Sequence, residues 1–185
     1  EETVYDSSVS LMQRDRETDD IYISYSTPKT PSRTYIYNLK TKEKKLVKEQ
    51  MIPSGHNSND YIVERLECEG HDGRIIPITI TRKKTTKLDG NSNLLLYGYG
   101  SYGNSMWPSF SSTRLSLINR DIIWATAHIR GGMERGMKWW KEGKLLNKKN
   151  TFQDYISCAE FLIEKKYTSK KKIIGMGGSA GGLLM

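Results

Sequence analysis

Cysteine is scarce: Cys68 and Cys158 are the only two among 185 residues. Two thiols so far apart form no disulfide framework, and such sparing use fits a reducing, cytoplasmic compartment. A cysteine-rich metal cluster is excluded as well. Cys68-Glu69-Gly70-His71 has no second cysteine or histidine pair nearby to complete a zinc site. No apolar run approaches the roughly 18 residues of a membrane helix, so no membrane partner is expected. The opening residues, Glu1-Glu2-Thr3, are acidic and polar and carry no secretory signal. An initiator methionine is missing too, which leaves room for a segment upstream.

Charge of one sign is in excess, with 29 Lys and Arg against 21 Asp and Glu for a net charge of +8. The basic residues cluster at Lys40 to Lys48, Arg82 to Lys87, Lys138 to Lys149 and Lys165 to Lys172. Such runs could suit a nucleic-acid partner. No recognised nucleic-acid module accompanies them, so they read as solvated loops and helix faces and no nucleic acid is expected. Hydrophobic residues make up 36% and charged residues 27%, a moderately polar chain whose length suits one domain or parts of two.

The pattern changes near residue 55. Before it, short β-like runs alternate with turns: 20–26, 33–39 and 44–47, the first two split by Thr27-Pro28-Lys29-Thr30-Pro31-Ser32. Such a meander buries little alone and suits one sheet of something larger, for example a propeller blade. Residues 53–60 read as a linker. After it, 61–68 and 74–81 flank Gly70-His71-Asp72-Gly73, a hairpin with an Asp-Gly turn. Pro77 points to an edge position or a bulge in its second strand.

Two continuous apolar runs follow, 93–97 and 122–129, of the kind found in a parallel sheet covered on both faces. Residues 109–119 between them predict a helix. Asn150 or Thr151 can cap a second helix, with Asp154 suiting its positive end. Phe152, Tyr155, Ile156, Ala159, Leu162 and Ile163 share its apolar stripe.

The last dozen residues say the most. Ile173-Ile174-Gly175-Met176-Gly177-Gly178-Ser179-Ala180-Gly181-Gly182 reads as a buried strand entering a Gly-x-Ser-x-Gly turn. Small residues on both sides let the backbone reverse sharply, leaving the Ser179 hydroxyl exposed between strand and helix. Leu183-Leu184-Met185 would open the inner face of that helix, which is expected to continue beyond them. A hairpin, then alternating strands and helices, then a nucleophile turn is the order of an α/β-hydrolase core.

Gly98-Tyr99-Gly100-Ser101-Tyr102-Gly103 matches the dinucleotide pattern Gly-x-Gly-x-x-Gly, but Asn104 to Pro108 is a loop rather than a helix start. Asp121 begins the next strand instead of ending it. In a hydrolase the same loop lies beside the nucleophile and supplies part of the oxyanion hole, where Tyr99 or Tyr102 can present a phenol.

Taken together, Leu94 to Gly100, His128-Ile129-Arg130-Gly131-Gly132, Gly143 to Phe152 and Gly177 to Gly182 resemble the prolyl oligopeptidase family of serine peptidases, in its order and approximate spacing. The oligopeptidase B branch is the most similar. Prolyl oligopeptidases proper tend to have Tyr-Gly-Gly-Phe at Tyr99-Gly100-Ser101-Tyr102 and Asn at Ala180. The resemblance implies a β-propeller capping an α/β-hydrolase domain. Residues 1–55 would then be the last propeller strands, and 56–185 the N-terminal part of the catalytic domain of a larger two-domain enzyme. It further implies a cofactor-free serine oligopeptidase acting on short peptides after Arg or Lys, with cleavage after proline, or an inactive binding protein on the same scaffold, as the alternatives. Ser179 would be the nucleophile. The Ala180 N–H and Tyr99 hydroxyl would bind the oxyanion, and Tyr102 would line the substrate pocket. His128 and Arg130 are read as structural, Arg130 bridging loops near the site. The triad order Ser, acid, His puts both partners after Ser179, and the family's P1-binding carboxylates are expected there as well. His56, His71 and His128 lie in a linker, a hairpin turn and a strand, so none fits the role of base.

Overall fold

A computed structural model describes residues 8–14 and 17–185; the opening Glu1-Glu2-Thr3 lies outside them. Four strands, β1 (Ser8–Arg14), β2 (Asp20–Ser26), β3 (Arg33–Asn38) and β4 (Lys44–Glu49), form an antiparallel meander in chain order. β2 matches its sequence expectation to the residue, β3 stops one residue earlier and β4 runs two further. Alternation sets the pairing, with Tyr22 opposite Ile36 and Ile23 opposite Tyr35. The Thr27 to Ser32 loop is not a solvated excursion. Ser26, Thr27 and Thr30 are buried, and the Ser26 hydroxyl accepts the Phe110 N–H at 2.9 Å. The end of β2 and this loop thus meet segments that flank the second sheet, Phe110 and His56, whose Nε2 lies 2.7 Å from the Lys29 carbonyl oxygen.

The second sheet has the order β5-β6-β8-β7-β9. Its strands are β5 (Tyr61–Glu69), β6 (Ile75–Lys83), β7 (Leu94–Tyr97), β8 (Ile123–Ala127) and β9 (Ile173–Met176). β5, β6 and β8 pair antiparallel, whereas β7 runs parallel to both β8 and β9. Helix α1 (Ser112–Ile118) covers one face; α2 (Met137–Lys141) and α3 (Lys148–Glu164) precede β9, and α3 covers the other. The apolar runs are explained by this layering. Leu94, Leu96, Ile123 and Ala125 pack with Tyr155, Cys158 and Leu162 of α3. Leu95 and Trp124 pack with Leu115 and Ile118 of α1. Every residue of such a strand meets a core.

Several sequence expectations need correction. The strand expected to be buried ahead of the Ser179 turn is β9, which lies at the edge of the sheet with Ile174 and Met176 exposed. Pro77 is neither at an edge nor in a bulge: β6 lies between β5 and β8. The β6–β8 ladder runs from Ile78 opposite Ala127 to Thr81 opposite Trp124, and Pro77 sits just past its end. Its carbonyl accepts the His128 N–H at 2.9 Å. The return bond is impossible because proline has no N–H, and the Trp139 indole donates to the His128 carbonyl instead, at 3.0 Å.

Helix α3 starts earlier than expected, with Asn147 at the N-cap position. Thr151 is buried and donates to the Arg130 and Gly143 carbonyls at 2.8 and 3.1 Å, so neither Asn150 nor Thr151 caps the helix. The inner stripe is Thr151, Asp154, Tyr155, Cys158 and Leu162. It is rotated from the predicted one, leaving Ile156 exposed. The sequence pattern missed this because two polar residues, Thr151 and Asp154, occupy the buried face.

Candidate active site

β9 ends at Met176, and Gly177-Gly178 leads into a short 3-10 helix over Ser179–Leu184. Ser179 has φ 52°, left-handed backbone that a side chain adopts only when its surroundings enforce it. Here they do. A Cβ on Gly177 would lie 2.1 Å from the Gly181 carbonyl oxygen, and one on Gly181 would lie 2.7 Å from the Gly98 oxygen. The two glycines let the chain close on itself, and Ser179 stands exposed at the apex. Of the three residues expected to open an inner helix face, only Leu184 packs against the core; Leu183 and Met185 are exposed.

The glycine-rich loop after β7 lies against this elbow. The Gly98 N–H donates to the Met176 carbonyl at 3.1 Å. The Tyr99 Cα would be 3.2 Å from a Cβ on Gly181, so the backbone carrying Tyr99 touches the elbow directly, and the Tyr99 side chain is half-buried. The loop continues to a well-held end, where the Gly103 N–H donates to the Gly131 carbonyl at 2.9 Å. No helix follows it until Ser112, consistent with rejection of a dinucleotide site. Tyr102 has φ 57° and is 78% exposed. It lines a groove of about 590 Å³ together with Ala180, Leu183, Trp140, Leu145 and Lys148. The Ala180 N–H sits in the first turn of the 3-10 helix, where backbone donors lack partners within the helix. Ser179, Ala180, Tyr99 and Tyr102 therefore converge on one corner of the sheet, at the carboxyl ends of β7 and β9.

Beneath this corner lies an ion cluster that the sequence hinted at only through Arg130. Arg130 is 1% exposed and Asp154 wholly buried. The guanidinium donates to Asp154 through Nε at 2.9 Å and Nη2 at 2.6 Å, and the Arg130 backbone N–H adds a third link at 2.9 Å. Nη1 reaches Asp72 of the β5–β6 turn at 2.6 Å. Burial works against the Arg130 charge, but the bonds to Asp154 and Asp72 outweigh it and hold its pKa above the usual value. The bond to Arg130 in turn keeps the Asp72 carboxyl below the ordinary carboxylate range. Asp154 is thus a buried counter-ion, not the helix-end charge its sequence position suggested. His71, Asp72 and Asp154 bring ligand-type atoms within 4.8 Å of one another, but both carboxylates are spent on Arg130.

Two of the three histidines are engaged by other groups. His56 Nε2 lies 2.7 Å from the Lys29 carbonyl oxygen, its ring stacked on Tyr61 at 5.1 Å. His128 is buried with Nε2 against the Thr79 hydroxyl at 2.8 Å. Burial lowers its pKa. His71 is exposed in the hairpin turn. Cys68 and Cys158 are free, buried and in mutual contact within the α3-side core; burial pushes the Cys158 thiol up.

A strand, a left-handed serine and a short helix, faced by the glycine loop that follows the neighbouring parallel strand β7, match the first part of an α/β-hydrolase domain. Comparison with known proteins agrees. The prolyl oligopeptidase family profile matches residues 108–185. Dipeptidyl aminopeptidase BI of Pseudoxanthomonas mexicana is 45% identical over 91% of this chain and 23% of its own length. A prolyl endopeptidase of Dictyostelium discoideum is 40% identical over 90% of this chain and 22% of its own length. The solved oligopeptidase B of Leishmania major superposes with TM-score 0.89 at 37% identity, covering 97% of this chain and 25% of that one. The chain belongs to the prolyl oligopeptidase family of serine peptidases. It spans about a quarter of the length of the relatives it matches.

Proposed function

We propose that this chain is the nucleophile-bearing portion of a serine oligopeptidase that hydrolyses short peptides after Arg or Lys. The observation that carries the proposal is the exposed Ser179 at φ 52°, with the Tyr99 loop packed against its elbow. Ser179 Oγ attacks the scissile carbonyl and its proton passes to a histidine. The C–N bond breaks, the amine leaves with that proton, and water then releases the acyl group. The Ala180 N–H and the Tyr99 hydroxyl hold the oxyanion, and Tyr102 contributes to the substrate groove. The acid and the histidine follow Ser179 in the longer protein, and no cofactor takes part. Residues 1–55 act as the end of a propeller domain and 56–185 as the start of the catalytic domain.

Preference for Arg or Lys rests on Ser101-Tyr102 and Ala180, which follow the oligopeptidase B pattern. The prolyl alternative is supported by the 40% identity to a prolyl endopeptidase. No helix among the described residues is long and apolar enough to cross a membrane. We place the activity in the cytoplasm because both cysteines are free. A fluorophosphonate probe on the full-length protein tests the reading: Ser179 should label and Ser179→Ala should not. Arginyl and prolyl aminomethylcoumarin substrates then separate the two specificities, and an unlabelled Ser179 would leave only a binding protein on this scaffold.

A further inference from the structure

Lys148 is not accounted for by the reading above, yet it reaches into the loop that carries Tyr99. It is the first residue of α3, and its ammonium donates to the Gly100 carbonyl at 2.5 Å and to the Ser101 hydroxyl at 2.9 Å. These are the two residues that follow Tyr99. We infer that Lys148 is a positioning residue, which locks the Gly98–Gly103 loop so that the Tyr99 hydroxyl is held where the oxyanion forms. The inference rests on the peptidase reading of Ser179 and Tyr99.

The loop needs such a lock. Gly100 has φ 63°, and its carbonyl is pressed against Gly131, where a Cβ would come within 2.0 Å of that oxygen. On either side of this segment the backbone is tied by Gly98 to Met176 and by Gly103 to Gly131. Between those ties, the charge-assisted bonds of Lys148 are the side-chain anchor, and they are stronger than neutral ones. Gly100 and Ser101, which Lys148 holds, directly follow Tyr99 in the chain, and an oxyanion donor displaced by about 1 Å can lose on the order of a hundredfold in rate. Lys148 also has a second side exposed to the groove it shares with Tyr102 and Ala180. Burial disfavours the Lys148 charge, and the two bonds to the loop offset that cost.

The test uses the full-length protein and whichever aminomethylcoumarin substrate it cleaves, with Lys148→Met, Lys148→Arg, Tyr99→Phe and the Tyr99→Phe/Lys148→Met double variant. Lys148→Met should lower kcat by roughly tenfold to a hundredfold with KM little changed, and Lys148→Arg should recover most of it. In the Tyr99→Phe background the Lys148→Met step should cost less than about threefold, because the group it positions is gone. Ser101→Ala, which removes a single acceptor, should give a smaller fall in kcat and serves if Lys148→Met does not fold. Wild-type kcat in Lys148→Met, losses that simply multiply with Tyr99→Phe, or an effect confined to KM would overturn the inference while leaving the peptidase reading intact. A wild-type protein that neither labels at Ser179 nor cleaves either substrate would overturn both.

Discussion

The Trp139 indole donates to the His128 carbonyl that stands opposite Pro77, where β6 has no hydrogen to offer. A side chain from α2 thereby completes a sheet contact that the backbone cannot. Trp139→Phe should keep the packing and lose this donor, leaving a buried carbonyl unpaired. A destabilisation of about 1–3 kcal/mol is expected, measured by urea unfolding. A variant as stable as the wild type would mean that another group serves the carbonyl.

The buried Arg130–Asp154 pair should be costly to break from one side. Asp154→Ala strands the guanidinium and should destabilise by roughly 3–5 kcal/mol. Asp72→Ala should cost clearly less, because the Asp72 side chain keeps 35% of its exposure while that of Asp154 has none. Equal losses in the two variants would contradict the arrangement.

His128 gives the protein a pH dependence of known sign. Burial holds its folded pKa below the unfolded value of about 6.5. The unfolded chain therefore binds a proton that the folded chain refuses. The contribution is full above that unfolded value and is lost as pH falls through the folded one. Unfolding midpoints compared between the wild type and His128→Asn should diverge most above pH 6.5 and converge on acidification.

The elbow tolerates no side chain at Gly181. A Cβ there would lie 2.7 Å from the Gly98 oxygen and 3.2 Å from the Tyr99 Cα, and both of those atoms are backbone, so Gly181→Ala must push the Tyr99 loop away from Ser179. Loss of fluorophosphonate labelling by about a hundredfold or more is expected, with far-UV circular dichroism unchanged. Full labelling of this variant would show that the loop and the elbow are independent.

The 185-residue chain by itself should show no peptide turnover. A serine needs a histidine to take its proton, and His56 and His128 are engaged at Lys29 and Thr79, while His71 sits in the hairpin turn. Measurable hydrolysis by this polypeptide would reverse the assignment of the triad.

Local features could be read from the chain alone. β2 and β3 show in alternating Ile and Tyr, the apolar runs of β7 and β8 show a sheet covered twice, and the Gly177–Gly181 elbow shows in its small residues. These follow from periodicity and steric size, which act over a few neighbours. Tertiary structure alone decided the order β5-β6-β8-β7-β9, the interior place of Pro77, the Arg130 cluster and the Lys148 anchor. Arg130 meets partners 24 and 58 residues away, and Lys148 reaches back 48. A buried Asp and a surface Asp are the same letter in a sequence. Only packing shows which one has lost its water and must find a cation instead.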